Sequence, residues 1–528
     1  MRGNGRRQNK VEFVTNPIRP SRFARNAAAN WLAFLFVAIV SFFLSPFVVH
    51  HLGGTAYGVW SLLVALVGYL GLLDFGVRGA VTRYVAHHHA VGDNAGSSSI
   101  VSAGLALFGI LGALAILLSG VFAYFSPILF NIPDSLVSDA RIVLVLGGLT
   151  VATTLIGAVF AGVVTGLERF DISSGVEILV TAVRTVAVVL ALQAGYGLVT
   201  LGCIHLATSV FQGIAAWVTV RKVYPELHLS FRGDLRPHMR TIVSFSAFLS
   251  LIHVFGLLIY YSNALIIAAF LPIAAVTFFA IAGNLIDYAS KVAGALSKMM
   301  TPRVSALTSM GSKNIGAEVI GAARIATLAT APIAATFWLR GESFVTLWMG
   351  IEYGPVSGEI LRILAFVVLL GGARSVAASS IIGANKHRTL IPALALEAVC
   401  NVVLSVALVR PLGIVGVALG TLIPSVLVSV GYFPGCLAKA TGAPAALFFR
   451  QAWIMPTLAC VPFAVANALV ERYYPATNLA VFFMQVIGLL LLVPATGWFL
   501  CLAPAEKEQL ASAIRKMLMR ASGRLPWR

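Results

Sequence analysis

The sequence predicts an all-α membrane protein with 14 transmembrane helices. Of its 528 residues, 59% are hydrophobic and 11% are charged, whereas a soluble domain of this length carries roughly a quarter charged residues. Apolar segments long enough to cross a hydrocarbon core, which takes about 20 residues each, recur from residue 27 to residue 502. A β-barrel would instead show alternating segments of about ten residues, and the sequence contains no such pattern.

Short polar intervals separate the predicted spans. The spans cover residues 27–50, 57–80, 99–125, 142–166, 174–195, 197–220, 241–270, 275–297, 318–339, 358–383, 389–409, 413–437, 449–470 and 477–502. The largest intervals on the odd-numbered side are Ser126–Arg141 and Arg340–Ser357. Neither interval is large enough for a catalytic domain.

The distribution of the basic residues predicts the orientation. Twenty-nine of the 37 Lys and Arg residues fall in the even-numbered intervals, in the two tails, or near the span ends that adjoin those intervals (Arg78, Arg324 and Arg450). Since basic loops stay on the cytoplasmic side, both termini are predicted to be cytoplasmic. The charge of +18 does not indicate a nucleic-acid partner, because it is spread over many short loops instead of one patch. It favours contact with anionic membrane lipids.

The longest interval between the sixth and seventh spans divides the chain. The predicted segments are a basic tail (1–26), a first six-helix bundle (27–220), a linker (221–240), a second six-helix bundle (241–437), a final helix pair (449–502) and a basic amphipathic tail (503–528).

The sequence lacks the motifs of several enzyme classes. It contains no G-x-x-x-x-G-K-[ST] phosphate loop and no H-E-x-x-H zinc motif. The three consecutive histidines 87–89 cannot share one helix face, and the five cysteines have no close spacing. We therefore predict a protein that is not an enzyme and that has no metal and no cofactor. Its function is expected to lie between the helices.

Four further cations lie within the predicted spans, where a charge is expensive and usually faces a cavity or a partner. They are Arg184, Lys291, Arg362 and Arg374. We predict that they line a cationic cavity for an anionic substrate, since guanidinium groups donate two hydrogen bonds at once to phosphate. Arg362 and Arg374 are the stronger candidates, because the only acid on their own predicted span is Glu359 at its very start.

The acids of the spans allow two interpretations. They are Asp74, Glu177, Asp287 and Glu397. Each could take part in ion coupling, or could pair internally with a cation. The spacing favours the pairs Asp74–Arg78 and Asp287–Lys291, four residues apart, and Glu177–Arg184, two turns apart on one face.

The residues from Arg25 to Ala86 resemble the opening of a known family. Leu52-Gly53, Tyr57-Gly58, Leu73-Asp74-Phe75-Gly76 and Arg83-Tyr84-Val85-Ala86 are similar to motifs of the O-antigen and exopolysaccharide flippases (Wzx-like) of the multidrug/oligosaccharidyl-lipid/polysaccharide exporter superfamily. The resemblance implies two six-helix bundles in a V around a central cavity, plus a final helix pair.

The resemblance also implies a function. This is the movement of a polyprenyl-diphosphate-linked oligosaccharide across the bacterial inner membrane by alternating access, for lipopolysaccharide or exopolysaccharide synthesis. The polysaccharide polymerase and chain-length proteins of such a pathway are candidate partners. Three alternatives stay open: a lipid II flippase of peptidoglycan synthesis, a drug or cation antiporter of the same superfamily, and a scaffold without transport activity. The first span contains no acid, which weighs against an antiporter.

Overall fold

The chain is helical throughout the part that its computed structural model describes. That part comprises residues 20–231, 234–312, 314–502, 506–508 and 512, with side chains described from residue 31 onward except at 245–250. These residues form no β-strand, so the predicted all-α class is confirmed. Residues 1–19 of the predicted basic tail, and most of the amphipathic tail predicted over 503–528, lie outside the described residues.

The first half of the chain forms long helices joined by short turns. They are α1 (Pro20–Leu52), α2 (Gly54–Leu70), α3 (Val77–Ala90), α4 (Asn94–Leu129), α5 (Asp134–Gly166), α6 (Phe170–Gln193) and α7 (Leu198–Val223). Asp93 begins α4 by accepting the backbone N–H of Gly96 at 2.8 Å. This hydrogen bond holds the pKa of Asp93 below its usual value.

The second half repeats this pattern and adds a final helix pair. Its helices are α8 (Arg236–Phe270), α9 (Ala274–Ser297), α10 (Met300–Ser309), α11 (Ile315–Met349), α12 (Gly354–Gly383), α13 (Leu390–Leu427), α14 (Phe433–Thr441), α15 (Ala445–Phe448), α16 (Met455–Tyr473), α17 (Leu479–Leu490) and α18 (Leu492–Leu500). π-Helical turns join α13 to α14 and α15 to α16.

Among the described residues, twelve helical stretches are long and apolar enough to cross a membrane. One of them, His387–Thr441, has 55 residues and covers two predicted spans. The chain turns back within it at Gly413 (φ 59°, ψ −139°), so that Ser405 lies against Gly420. The predicted span 275–297 corresponds to α9, which is not among the twelve. The protein is a multi-pass membrane protein, while the count of fourteen spans stays a prediction.

The two largest intervals predicted on the odd-numbered side are shorter than expected. α4 continues to Leu129 and α5 begins at Asp134, which leaves residues 130–133 between them. α11 continues to Met349 and α12 begins at Gly354, so Arg340 lies at a kink within α11 (φ −125°, ψ 16°) and not in a loop between two spans. The prediction failed because these helix ends carry polar residues, which a hydropathy criterion assigns to loops.

The helices run alternately between two ends of the molecule. We call the end with the connections 53, 130–133 and 271–273 the sealed end, for the contacts described below. The opposite end carries the connections 91–93, 167–169 and 224–235, and we call it the basic end. The sequence predicts that the basic end is cytoplasmic.

The Leu73-Asp74-Phe75-Gly76 motif bends the second span near the basic end. A 3₁₀ turn ends α2 at Asp74, and Phe75 (φ 41°) and Gly76 (φ 70°) both adopt left-handed backbone conformations before α3 begins. Glycine tolerates such a conformation at no steric cost. The motif therefore specifies a bend at this position.

Candidate functional site

The two halves of the chain meet at the sealed end through α2 and α9. Gly58 of α2 lies against the carbonyl oxygen of Ile273, where a Cβ atom would overlap the backbone. One turn away, the hydroxyl of Thr277 donates to the carbonyl of Gly54 at 2.5 Å. The glycines therefore allow the two backbones to approach closely.

Further contacts between the halves surround this approach. The indole N–H of Trp348 on α11 donates to the carbonyl of Phe42 on α1 at 3.0 Å, and the two rings stack at 4.8 Å. The backbone N–H of Asn131 donates to the carbonyl of Ala268 at 3.2 Å. Together these contacts close the sealed end between the two bundles.

The face of α9 that makes this seal becomes exposed toward the basic end. Asn284, Asp287, Tyr288 and Lys291 are spaced three or four residues apart and share this face. Asn284 still contacts α2, donating to the buried Tyr57 hydroxyl at 3.4 Å. The exposed fraction of the side chain then rises to 29% at Asp287 and 48% at Lys291. We interpret this increase in exposure as one wall of a cleft between the bundles that opens toward the basic end.

Tyrosines from both halves lie around this cleft. Tyr69 of α2 and Tyr261 of α8 have ring centroids 5.8 Å apart, and Tyr260 lies 4.8 Å from Tyr261. Nearly half of Tyr260 is exposed, at 49%. Tyrosine combines an apolar ring face with a hydroxyl that donates and accepts hydrogen bonds. A sugar ring has the same combination of C–H faces and hydroxyl edges.

Asp287 and Lys291 form the ion pair predicted from their spacing. Lys291 Nζ lies 2.7 Å from Asp287 Oδ2 and 5.6 Å from the ring centroid of Tyr288. A lysine ammonium binds phosphate as a compact point charge. Because the pair is partly exposed to the cleft, an incoming anion can reach the ammonium group.

Arg184 lies within the first half, on α6. Its Nε donates to the hydroxyl of Thr208 on α7 at 3.1 Å. One turn earlier on α7, His205 packs edge-on against Trp60 of α2, with centroids 5.2 Å apart. The predicted pair with Glu177 is not among the ion pairs of the described residues, and the Glu177 side chain is exposed. No hydrogen bond or ion pair between described residues joins Arg184 to Lys291.

Arg374 and Glu397 are brought together inside the second half. The guanidinium makes a two-pronged ion pair with the carboxylate, through Nη1 to Oε1 at 2.7 Å and through Nη2 to Oε2. It also donates to Ser425 at 3.3 Å and lies over the Phe433 ring at 5.0 Å. The side chains are only 18% and 4% exposed. The partner that Arg374 lacks on its own helix is supplied by the next one.

Arg362 and Asp74 occupy other environments. Arg362 is exposed on α12, and its Nε donates to the carbonyl of Trp338 on α11 at 3.3 Å. Asp74 accepts the backbone N–H of Arg78 at 3.5 Å, so this contact is to the main chain and is not the predicted side-chain pair. The four predicted cations therefore do not form one cluster. Their substrate-binding role stays a prediction.

A buried cluster around Arg340 was missed by the sequence analysis, which placed this residue in a loop. Its side chain is 0% exposed and pairs with Glu471. Its other nitrogens donate to Asn467 at 3.3 Å and to Gln485 at 2.8 Å. The cluster fastens α16 and α17 to α11. The sequence did contain a signal for such a cluster. The final helix pair carries an acid and two amides, Glu471, Asn467 and Gln485, near the same end of its two helices.

A second ion pair fastens the final pair at the basic end. Arg324 of α11, which the charge count treated as a loop cation, is 7% exposed. Its Nη2 lies 2.5 Å from Glu506 Oε1. The final pair is thus braced against α11 at both ends.

Sequence comparison identifies the family. Residues 23–307 match the family described as polysaccharide biosynthesis protein, which is more than half of the chain. The chain belongs to this family. This confirms the resemblance based on residues 25–86, and the family match continues through α9 and most of α10.

A curated relative matches over most of its length. It is the "Uncharacterized membrane protein EpsK" of Bacillus subtilis (strain 168), which is 24% identical over 449 residues, covering 81% of this chain and 86% of the relative.

Two solved structures show the same fold. The "Lipid II flippase MurJ, inward closed conformation" matches with a TM-score of 0.69 at 13% identity, over 89% of this chain and 97% of that chain. An inward-facing multidrug resistance MATE family transporter of the MOP superfamily matches with a TM-score of 0.63 at 15% identity, over 78% of this chain and 94% of that chain. The predicted superfamily fold, with two bundles and a final pair, is confirmed.

Proposed function

We propose that this polysaccharide biosynthesis protein is a flippase, which moves a polyprenyl-diphosphate-linked oligosaccharide across the bacterial inner membrane for surface polysaccharide synthesis. The observation that carries the proposal is the change along one face of α9. This face is sealed against α2 at Ile273 and Thr277 and is exposed at Lys291. Such a one-sided cleft is what an alternating-access transporter requires in one of its two states.

The orientation follows from the charges of the loops. If the basic end is cytoplasmic, as the distribution of Lys and Arg predicts, then the cleft opens to the cytoplasm. The sealed end then faces the periplasm, with both termini in the cytoplasm. A lipid-linked oligosaccharide made on the cytoplasmic leaflet would enter this state of the protein directly.

The diphosphate, the sugars and the polyprenyl tail of the substrate would each contact a different part of the protein or the bilayer. The diphosphate binds the ammonium group of Lys291 and replaces the Asp287 carboxylate as its ion-pair partner. The sugars lie against the tyrosines, and the polyprenyl tail stays in the bilayer. Rocking of the bundles then separates Gly58 from Ile273 and opens the opposite side. Arg184 is a second candidate cation, because among the described residues its side chain donates to the neutral Thr208 hydroxyl and forms no ion pair.

Two of the acids within the spans, Glu397 and Asp287, lie in different environments. Glu397 is committed to Arg374 within the second bundle. Asp287 combines an ion pair with exposure to the cleft, so we propose it as the group that accepts a coupling ion when the substrate takes its lysine. The polymerase and chain-length proteins of the pathway would receive the product at the periplasmic face.

Two other functions make different predictions. A lipid II flippase is supported by the fold similarity to MurJ. A scaffold without transport predicts a closed bundle, which the exposed Lys291 side chain argues against. A drug antiporter would not need a cationic side chain that binds a diphosphate.

Complementation of flippase-deficient strains tests the proposal. We expect the chain to restore surface polysaccharide in a strain that lacks its own polysaccharide flippase, and Lys291→Gln to reduce that restoration about tenfold at equal expression, as loss of one charged contact of roughly 1.4 kcal/mol would do. Lys298→Gln is the matched control, since Lys298 is an exposed lysine two turns away, directly after the end of α9. Rescue of a strain depleted of its lipid II flippase, without rescue of polysaccharide export, would overturn the assignment in favour of lipid II.

A further inference from the structure

A groove on the second half of the molecule carries an inference that is independent of the flipping reaction. It lies between α11, α12 and α16 and encloses about 230 Å³. Small residues form its floor, and two large aromatic side chains, Trp338 and Phe366, form part of its wall. The two rings pack edge-to-face at 6.1 Å. The groove is apolar apart from Thr457 and Cys460.

The groove stays open because its walls are fixed from outside it. The Arg340–Glu471 cluster and the Arg324–Glu506 pair brace the final helix pair against α11 at its two ends. Between the braces, alanines at 331, 334, 335, 365 and 464 leave the helix backbones uncovered. A slot between braced helices offers a preformed site to an apolar chain, which gains van der Waals contacts with the helix walls.

A single cation stands at the sealed end of the groove. Arg362 lies one turn from Phe366 on α12, and its Nε donates to the backbone carbonyl of Trp338, so it is adjacent to the two aromatic residues of the groove wall. The side chain is exposed. Glu359 lies one turn earlier on α12, but among the described residues no acid lies within ion-pair distance of Arg362, and its hydrogen bond to Trp338 uses Nε. Its two terminal amino groups are therefore available to an anion, and the planar fork suits a phosphate.

The depth of the groove along α12 indicates which membrane leaflet it faces. α12 begins at Gly354, so Arg362 lies about 12 Å below the sealed end of the helix at a rise of about 1.5 Å per residue. The groove continues from there to Leu369, near the middle of α12. A helix of 30 residues overhangs a hydrocarbon core of about 30 Å on both sides. Arg362 thus lies close to the headgroup boundary, and the groove spans the half of the core beneath it.

From this charge, apolarity and depth we infer that the groove binds an anionic phospholipid from the leaflet at the sealed end. Its phosphate sits on Arg362, and one acyl chain lies in the slot between Trp338, Phe366 and α16. A slot of about 230 Å³ suits an acyl chain and not a protein helix. The cation at its end favours a lipid whose headgroup is anionic. Arg362 accordingly acts outside the cleft between the bundles.

Native mass spectrometry of the full chain in detergent tests this inference, with phosphatidylglycerol and phosphatidylethanolamine of identical acyl chains as probes. We expect retention of one phosphatidylglycerol molecule in preference to phosphatidylethanolamine. Arg362→Gln should reduce that preference about tenfold. Ala365→Leu, which fills the slot but keeps the charge, should lower the binding of both lipids. Arg410→Gln is the matched control, since Arg410 is an exposed arginine that lies over Phe270, away from the groove.

Three outcomes would overturn the inference. The first is equal retention of the two lipids by the unaltered chain. The second is an unchanged preference in both Arg362→Gln and Ala365→Leu. The third is displacement of phosphatidylglycerol by polyprenyl phosphate at equal concentration, which would assign the slot to the substrate tail instead. Because the two variants alter charge and shape separately, failure of one to fold leaves the other to decide.

Discussion

Gly58 of α2 lies directly against the carbonyl oxygen of Ile273 at the start of α9, with no room for a methyl group between the two bundles. This contact and the Thr277–Gly54 hydrogen bond close one end of the molecule, while Lys291 on the same helix is exposed. The Tyr57-Gly58 motif therefore has a physical role that its sequence does not reveal. It forms half of a seal that an alternating-access cycle must open and close.

Gly58→Ala should destabilise the sealed state. The added Cβ meets backbone and not a flexible side chain, so the two helices must separate. We expect reduced polysaccharide export at normal expression, together with increased thiol labelling of a cysteine placed at Thr277 from the sealed side. Gly283→Ala is the control, because a Cβ at Gly283 meets no atom within 4 Å. Unchanged export and labelling in Gly58→Ala would show that the contact is not a seal.

The Arg374–Glu397 pair should contribute to stability more than to transport. Removal of one partner of a buried ion pair leaves an unpaired charge and costs about 3–5 kcal/mol, whereas replacement of both by apolar residues can be nearly neutral. Arg374→Met and Glu397→Leu should each lower the thermal unfolding temperature in detergent, and the double variant should recover much of the loss. Additive losses would contradict an ion pair of this kind. Arg303→Gln, which breaks an exposed pair with Glu318, should change the unfolding temperature little.

Arg340→Gln should release the final helix pair from α11. The variant removes a fully buried guanidinium that serves Glu471, Asn467 and Gln485, and leaves those groups unsatisfied. We expect faster proteolysis between α15 and α17 and a loss of stability of about 3–5 kcal/mol. Arg472→Gln is the control, because Arg472 is exposed and adjacent to Glu471. Equal protease resistance in both variants would remove Arg340 from this role.

Much of the fold followed from the sequence, since apolar length and the alternation of charged loops depend only on local composition. The Asp287–Lys291 pair followed from helical periodicity, which brings residues four apart together. The partner of Arg374 did not, because Glu397 lies on the next helix, and sequence does not fix the rotation of one helix against another. Arg340 was assigned to a loop for a related reason: a charge near the end of an apolar segment looks exposed until its partners on α16 and α17 are known.

The cleft itself could not have been predicted from the spans. One wall comes from α2 and the other from α8 and α9. Tyr57 and Asn284, which are in contact, are 227 positions apart in the chain. The tyrosines around the cleft belong to no single sequence motif. The sequence marked Lys291 as a candidate cation but ranked it, with Arg184, below Arg362 and Arg374. The ranking relied on acids of the same helix, whereas the environment of each cation is set by neighbouring helices.

The most direct test of the account is the labelling of single cysteines on α9 in inverted and right-side-out vesicles, in a background without the five native cysteines. With a membrane-impermeant thiol reagent, we predict that Lys291→Cys is labelled from the cytoplasmic side, that Thr277→Cys is protected from both sides in the resting state, and that added lipid-linked oligosaccharide slows labelling at 291. Protection of position 291 from both sides would indicate a closed scaffold. Labelling of position 291 only from the periplasmic side would contradict the proposed orientation of the cleft.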